Sequence, residues 1–441
     1  MLLVPLLARA EWVQWTLDPS VNAGFDYNDN FNVTDRPTRV WYSRFSADLL
    51  SKLEMNQFSM DLHGRYYGER YISVDGPEPE AGGKKTSTDD LSRDDGIFDA
   101  TLRYSTEYIL WELEGGYTRD QPQSSEFDGT TDFFNRITRN KWFAGPALTW
   151  IWSPQTRLRT NYSYSETFYE DRPFDNSHQS DFTGHNAAAT LTHDYTEYTQ
   201  LFTQVFFSSN ETTQEPIIVN QPLGILSDGT IVQETSTSTS TFENDQFGIV
   251  MGGSHALSDT FTASLSGGGL VLFSESETRR IQQNSLPGTL PIETVSNRDD
   301  TAIGYLVNFS LDKSFEYTTV NARADHKLVP SSNGSQLQLD SVSLSVTQRL
   351  LEHLSGTLSA SYSRTDTLKS SVGIGQSGRT NYNIGYRFIW QLTEEWALDW
   401  GYRFVRQERE TNDENGNGRS GNRNAGFVNL RYQWPTKLLF P

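Results

Sequence analysis

Asp61, His63 and Arg65 recur at every second position between Met60, Leu62, Gly64 and Tyr66. That spacing lines three titratable side chains along one face of an extended strand and leaves the apolar set on the other. A histidine two residues from a carboxylate on one face has the parts of a general base and its orienting acid. It has equally the parts of a hydrogen bond in a polar wall, and the rest of the chain favours the wall. The other histidines, His178, His185, His193, His255, His326 and His353, are scattered. Ser254 and His255 are sequence neighbours, and alternation sends neighbours to opposite faces, so they do not form a nucleophile–base pair within a strand. Neither H-E-x-x-H nor G-x-S-x-G occurs. The run from Asp413 to Gly418 matches the first half of a calcium loop, but Asn424 stands where the bidentate glutamate belongs, so the segment reads as a solvated turn. Gly416-x-Gly418-x-x-Gly421 and Gly373-x-Gly375-x-x-Gly378 match a dinucleotide fingerprint by letters only, with no strand–turn–helix context. The expectation is a protein without catalytic residues, metal or cofactor.

The informative chemistry is instead a set of charges at alternating positions. Counted upward from the short links described below, Asp48, Asp61 and Arg103 fall at one low level of neighbouring strands, and Arg44, Arg65 and Asp99 at a higher one. Arg387, Asp399 and Arg431 fall at similar height further along. Arg157, Arg159, Arg323, Lys327 and Arg403 add cations on the same face. Rings of charged side chains set selectivity in pores, which makes these residues selectivity candidates. A salt-bridged wall that stiffens the protein and prefers no cargo would show the same residues. The arginine excess on that face of an acidic chain inclines the first reading toward anionic cargo.

The elements that must carry these residues are strands. Residues 98–105 repeat the alternation, Phe98, Ala100, Leu102 and Tyr104 against Asp99, Thr101 and Arg103, and residues 109–118 set Ile109, Trp111, Leu113 and Tyr117 against Glu112 and Glu114. A helix with that period would spread charge over every face. Followed to the C-terminus, the pattern predicts about 18 strands, with 16 as the alternative, even counts of the kind bacterial single-chain barrels have. Links between the strands alternate between short ones, such as Thr106-Glu107 and Ser153-Pro154-Gln155, and long polar ones, such as residues 71–96, 119–141, 209–246, 273–301 and 405–424. A sandwich or propeller does not sort its links in this way. The fold class expected is all-β: a transmembrane antiparallel up-and-down β-barrel, with short periplasmic turns, long extracellular loops and both termini periplasmic.

Composition agrees. The 441 residues are 35% hydrophobic and 13% aromatic, with no cysteine, and mean hydropathy is -0.59. No apolar run approaches the roughly 18 residues of a spanning helix, yet a barrel needs only alternate residues to be apolar. The formal charge of -20 argues against a nucleic-acid partner, which wants a basic footprint. Residues 1–10, MLLVPLLARA, read as the back half of a secretory signal lacking its basic region, with cleavage before Glu11. Residues 11–441 are then one barrel in the outer membrane of a Gram-negative bacterium, in contact with lipid and lipopolysaccharide.

Across residues 20–67 an opening strand runs into Tyr27-Asn28-Asp29-Asn30-Phe31, then a polar loop, then a hairpin broken near residues 52–57. This arrangement resembles the outer-membrane β-barrel porin families encoded beside exopolysaccharide synthesis systems. The resemblance implies a role in moving or anchoring surface polysaccharide, with polysaccharide and periplasmic export components as partners. Three functions stay open: passage of polysaccharide or anionic solutes, a general porin for small solutes, and a structural or adhesive barrel plugged by its own loops. For the last, residues 209–246 are the longest candidate plug, with enough β-prone content (Ile217-Ile218-Val219, Ile231-Val232) to fold inward or to pair as a hairpin.

Overall fold

The computed structural model describes residues 13–30, 37–75, 88, 92–120, 138–170, 181–225, 231–284, 290–330, 336–367, 378–409 and 419–440. The first strands are β1 (Val13–Asn28), β2 (Arg39–Met55), β3 (Phe58–Asp75), β4 (Arg93–Ser105), β5 (Ile109–Asp120) and β6 (Arg139–Ser153). Then follow β7 (Thr156–Tyr169), β8 (Asp181–Thr196), β9 (Thr199–Ile225), β10 (Ile231–Ser258), β11 (Phe261–Asn284) and β12 (Ile292–Ser314). The last are β13 (Thr318–Pro330), β14 (Gln336–Leu351), β15 (Leu354–Thr367), β16 (Arg379–Gln391), β17 (Trp396–Arg409), β18 (Arg419–Gln433) and the short β19 (Lys437–Phe440). Each strand pairs antiparallel with the next, and β1 pairs with both β2 and β18, which closes the sheet into an 18-stranded up-and-down barrel. Closure pairs every wall strand on both sides, the condition for strands to cross a membrane, although the β12–β13 ladder stops at Val307↔His326.

β19 adds no wall position. It continues β18 past a break at residues 434–436, which holds Pro435, and pairs with β1 again through Leu17↔Lys437, Thr16↔Leu438 and Trp15↔Phe440. Proline has no N–H to give a ladder, so the interruption falls where the chain loses a donor. The tail after Trp434, outside the strands expected from alternation, thus rejoins the sheet.

Directly paired residues point to the same face, so register assigns every side chain to lumen or exterior. The exterior carries Phe45, Leu49, Phe98, Trp111, Leu113, Trp142, Val205, Phe247, Ile249, Met251, Leu265, Ile303, Val342, Leu344, Leu358, Ile384, Val428 and Leu430, all exposed, Ile303 at 85%. An apolar belt around a whole protein far exceeds what a soluble surface carries and is the face a bilayer covers. Rings collect at its margins. Tyr108, Trp152, Tyr195, Tyr198, Tyr317, Trp390 and Trp396 are exposed near the short turns. At the opposite margin Tyr117 meets Trp142 at 4.4 Å and Phe207 meets Phe247 at 4.6 Å. Amphipathic rings suit that boundary.

The strands run further at the long-link end than alternation suggested. Most of residues 209–246, a long link read as able to fold inward or to pair as a hairpin, takes the second course: β9 and β10 pair from Ser209↔Asp245 to Ile225↔Ile231, with two register shifts. β11 and β12 likewise absorb most of 273–301, and β17 and β18 most of 405–424. Above the belt both faces meet water, so the apolar signal vanishes while backbone pairing continues. The result is a four-stranded arm, β9 to β12, standing past the row Ser209–Asp245–Phe273–Thr301. β9 leaves β8 after Thr213, and Pro216 and Pro222 fall in the part that pairs on one side only, the edge setting to which proline in a sheet is confined. Residues 1–10 and the calcium-like run 413–418 lie outside the described residues.

Candidate functional site

The inner wall has two electrostatic sectors. On β1 to β8 nearly every guanidinium meets a carboxylate. Arg44 Nη2 reaches Asp26 Oδ1 at 2.7 Å, Arg65 pairs with Asp48 directly opposite, and Arg103 bridges Asp61 and Glu112. Arg159 takes the second oxygen of Glu112, and Arg157 Nη1 lies 3.4 Å from Asp194 Oδ2. His63 stands between two carboxylates, 3.6 Å from Asp48 and 3.6 Å from Asp99, while Asp61 is occupied by Arg103. The His63–Asp61 contact considered from sequence is therefore replaced by contacts across strands.

The two levels counted from the short turns are corrected by this pairing. Arg65 belongs with Asp48 rather than with Arg44 and Asp99, and Arg44 belongs with Asp26. Strands tilt and each ladder has its own offset, so equal distance from a turn is not equal register. Further along, Arg387 grips Asp399 through two bonds, 2.8 Å from Nε and 2.6 Å from Nη2, whereas Arg431, expected beside them, pairs in register with Asn22 and Ala397 and makes no ion pair among the described residues.

A denser knot lies toward the long-link end of β1 to β4. Glu69, buried, accepts from the Tyr71 hydroxyl at 3.2 Å and from Tyr67, and lies 3.0 Å from Arg93 Nε. Arg93 also lies over the Tyr67 ring at 5.1 Å, Arg44 over the same ring at 5.7 Å, and Tyr71 stacks on Tyr42 at 5.0 Å beside fully buried Val40. Sequence reasoning missed Glu69, Arg93 and Asp95. Arg65, Tyr67, Glu69 and Tyr71 do continue the alternation of β3, a signal that could have extended the strand. Arg93 and Asp95 fall within the long link read across residues 71–96.

Glycines give these side chains room. Gly24 faces Arg44 across the β1–β2 ladder, and a Cβ there would meet Val428 O at 2.6 Å and collide with Asn429 Oδ1. Gly401 faces Arg387, and a Cβ there would collide with Tyr386 O and meet the Phe427 ring at 2.8 Å.

The second sector, β9 to β18, is lined mostly by hydroxyls and amides, with buried Leu270, Leu272, Leu337 and Leu339 on the same face and Asp325 held by Asn308 and Ser341. One register row reads Gln200, Ser254, Ser264, Ser310, Arg323, Ser343, Ser361, Asn383, Val405 and Arg423. Within it the Ser264 and Ser310 hydroxyls are 2.7 Å apart. Arg403, facing Gly385, donates from Nε to Asn383 Oδ1 at 2.9 Å. Arg323, Arg403, Arg423 and Arg431 have no carboxylate partner among the described residues. Among those residues, too, no group of His, Cys, Asp and Glu could hold a metal ion. The arrangement is a polar, aqueous-compatible wall: one side neutralised by its own ion pairs, the other hydroxylated and cationic.

No protein-family model matches the chain, and no curated protein does. Solved structures similar to it include the outer membrane channel DcaP of Acinetobacter baumannii, with 12% identity over 96% of this chain and 98% of that one, TM-score 0.40. The outer membrane protein opdK from Pseudomonas aeruginosa shows 9% identity over 95% and 99%, TM-score 0.41. The ferric-catecholate import receptor Fiu from E. coli K12 shows 10% over 95% and 82%, TM-score 0.40.

Proposed function

We propose that the chain is an outer-membrane pore that passes anionic, hydroxyl-rich solutes, with surface polysaccharide as the cargo class. The observation that carries the reading is the two-faced wall: an 18-stranded closed barrel with a continuous apolar exterior and an inner face of paired charges, hydroxyls and arginines. Barrels of 16 to 18 strands are wide enough for an aqueous channel. The short turns then face the periplasm with both termini, and the arm stands outside the cell. Lipid and lipopolysaccharide surround the belt, and periplasmic export components are the partners expected at the short-turn mouth. The wall is read as non-catalytic because His63 is held among carboxylates rather than beside a nucleophile. The polysaccharide cargo rests on the family resemblance of residues 20–67 and on the hydroxylated sector.

The test is conductance of the purified, folded protein in planar lipid bilayers, with anion over cation preference read from the reversal potential in a KCl gradient. Steady channels with anion preference are expected. Absence of channels in protein shown to be folded overturns the pore and favours the rival reading, a surface scaffold, which the long outer arm supports.

A further inference from the structure

We infer that the wall from β13 to β18 holds a carboxylate-binding station, centred on Arg403 and Arg423, that retains sugar acids in preference to neutral sugars. The inference deepens the pore reading and rests on it.

The argument starts from charge. Inward arginines of β2 to β8, and Arg387 of β16, have carboxylate partners that cancel their field. Among the described residues, Arg403 and Arg423 do not. They sit diagonally on adjacent strands, Arg403 opposite Ala425 and Arg423 opposite Val405, both on the lumen face. Diagonal neighbours on one face are within reach of long side chains, and two like charges there repel unless an anion lies between them. The carboxylate whose field acts on Arg423, that of Asp29, is already engaged at 2.6 Å by both the N–H and the side-chain amide of Asn424. Among the described residues the buried Nε of Arg423 has no hydrogen-bond partner. A largely buried cation without a counter-charge is costly, which favours an anion at its terminal nitrogens.

Geometry then selects the class of anion. Arg403 spends Nε on Asn383, which fixes the plane of its guanidinium and leaves the two terminal nitrogens for a ligand. That free edge matches the two oxygens of a carboxylate, the pairing that makes arginine rather than lysine the usual partner. The surrounding wall supplies hydroxyls: Ser343 and Ser361 lie in the row from Arg323 to Arg423, and Ser345 and Ser359 in the row that reaches Arg403 through Gly385. A hydroxyl both donates and accepts, so short serines can exchange partners with sugar hydroxyls without blocking the passage. A carboxylate on a polyhydroxylated ring satisfies both features together.

The test uses the full chain in planar bilayers, with glucuronate and glucose as probes and heat-modifiable gel migration as the check of folding. In the wild type, glucuronate is expected to reduce the current at concentrations where glucose does not. R403Q/R423Q is expected to fold and still conduct, while losing both anion preference and glucuronate block. R403K/R423K, which keeps the charges but not the forks, is expected to retain the preference and lose most of the block. A folded glutamine double variant with wild-type preference and block overturns the station, as does a wild type that conducts but ignores glucuronate, and both results leave the pore standing. No current from any folded form overturns the pore reading itself, and the station with it.

Discussion

Arg387 and Asp399 face the lumen on neighbouring strands, joined by two bonds of 2.8 and 2.6 Å, with Gly401 directly opposite the arginine. The pair cancels one positive charge within the otherwise cationic β16–β18 wall. Asp399→Asn should therefore uncover Arg387 and raise anion preference, while Arg387→Gln should leave an unpaired carboxylate and lower it. Each should cost about 1 kcal/mol of stability, since the arginine is half exposed and water screens the pair. Reversal potentials and urea unfolding in lipid vesicles give the two readouts; equal preferences in both variants would refute the pairing argument.

Gly401→Ala should destabilise the barrel by about 1–3 kcal/mol, because the new methyl meets the Tyr386 carbonyl as well as the Phe427 ring. Gly24→Ala should do the same at the β1–β18 closure, where the Val428 carbonyl stands in the way. Gly64 is the control, since a Cβ there meets nothing within 4 Å. The temperature at which each form loses its compact gel mobility ranks the three, and a ranking with Gly64→Ala lowest would contradict the packing described.

Joining Thr213 to Thr241 by an Asn-Gly turn removes the outer part of the β9–β10 hairpin at a row where the two residues pair. These segments continue the wall strands upward, so the shortened barrel should fold and conduct like the wild type. A larger single-channel conductance after the deletion would support the inward-folding alternative for residues 209–246 over the hairpin.

Glu211, Glu243, Glu275 and Asp299 form one cross-strand row on the outer face of the arm, two residues above the last apolar level at Phe273. Desolvation first, then the carboxylates of Asp245, Glu275 and Glu211, hold the Glu243 carboxyl above its ordinary value of 4.5. A carboxyl raised in the folded arm favours that arm while protonated; its contribution is full below the unfolded value and lost as pH rises through the folded one. Protection of the arm from proteolysis should thus improve as pH falls toward the glutamate range. Glu243→Gln should improve protection at neutral pH and flatten the dependence. Protection that worsens on acidification, or a variant no better guarded at pH 7, would count against this reading of the row.

Much of this molecule was legible before folding. Period-two patterns such as Phe58–Tyr66 and the alternation of short and long links are local properties, and they led to 18 strands and an inside and outside for residues such as Asp61, Arg103 and Arg323. The extent of β9 to β12 was not legible, because above the belt both faces are wet and only backbone pairing marks the strand. Nor were Glu69, Arg93 and Asp95, which lie past the last clear apolar residue of their segments.

The sequence by itself determined the class of fold and the face of those charged residues that lie within a clear apolar alternation, since both follow from a two-residue repeat and from where the chain can turn. Which charges neutralise one another was decided only by the closed barrel. Asp399 meets Arg387 while Arg403, two pairs away, meets no carboxylate among the described residues, because a strand's partner depends on the offset of each ladder and on the tilt that closure imposes. That offset is a property of the ring as a whole, and it divides the lumen into a cancelled side and a cationic one.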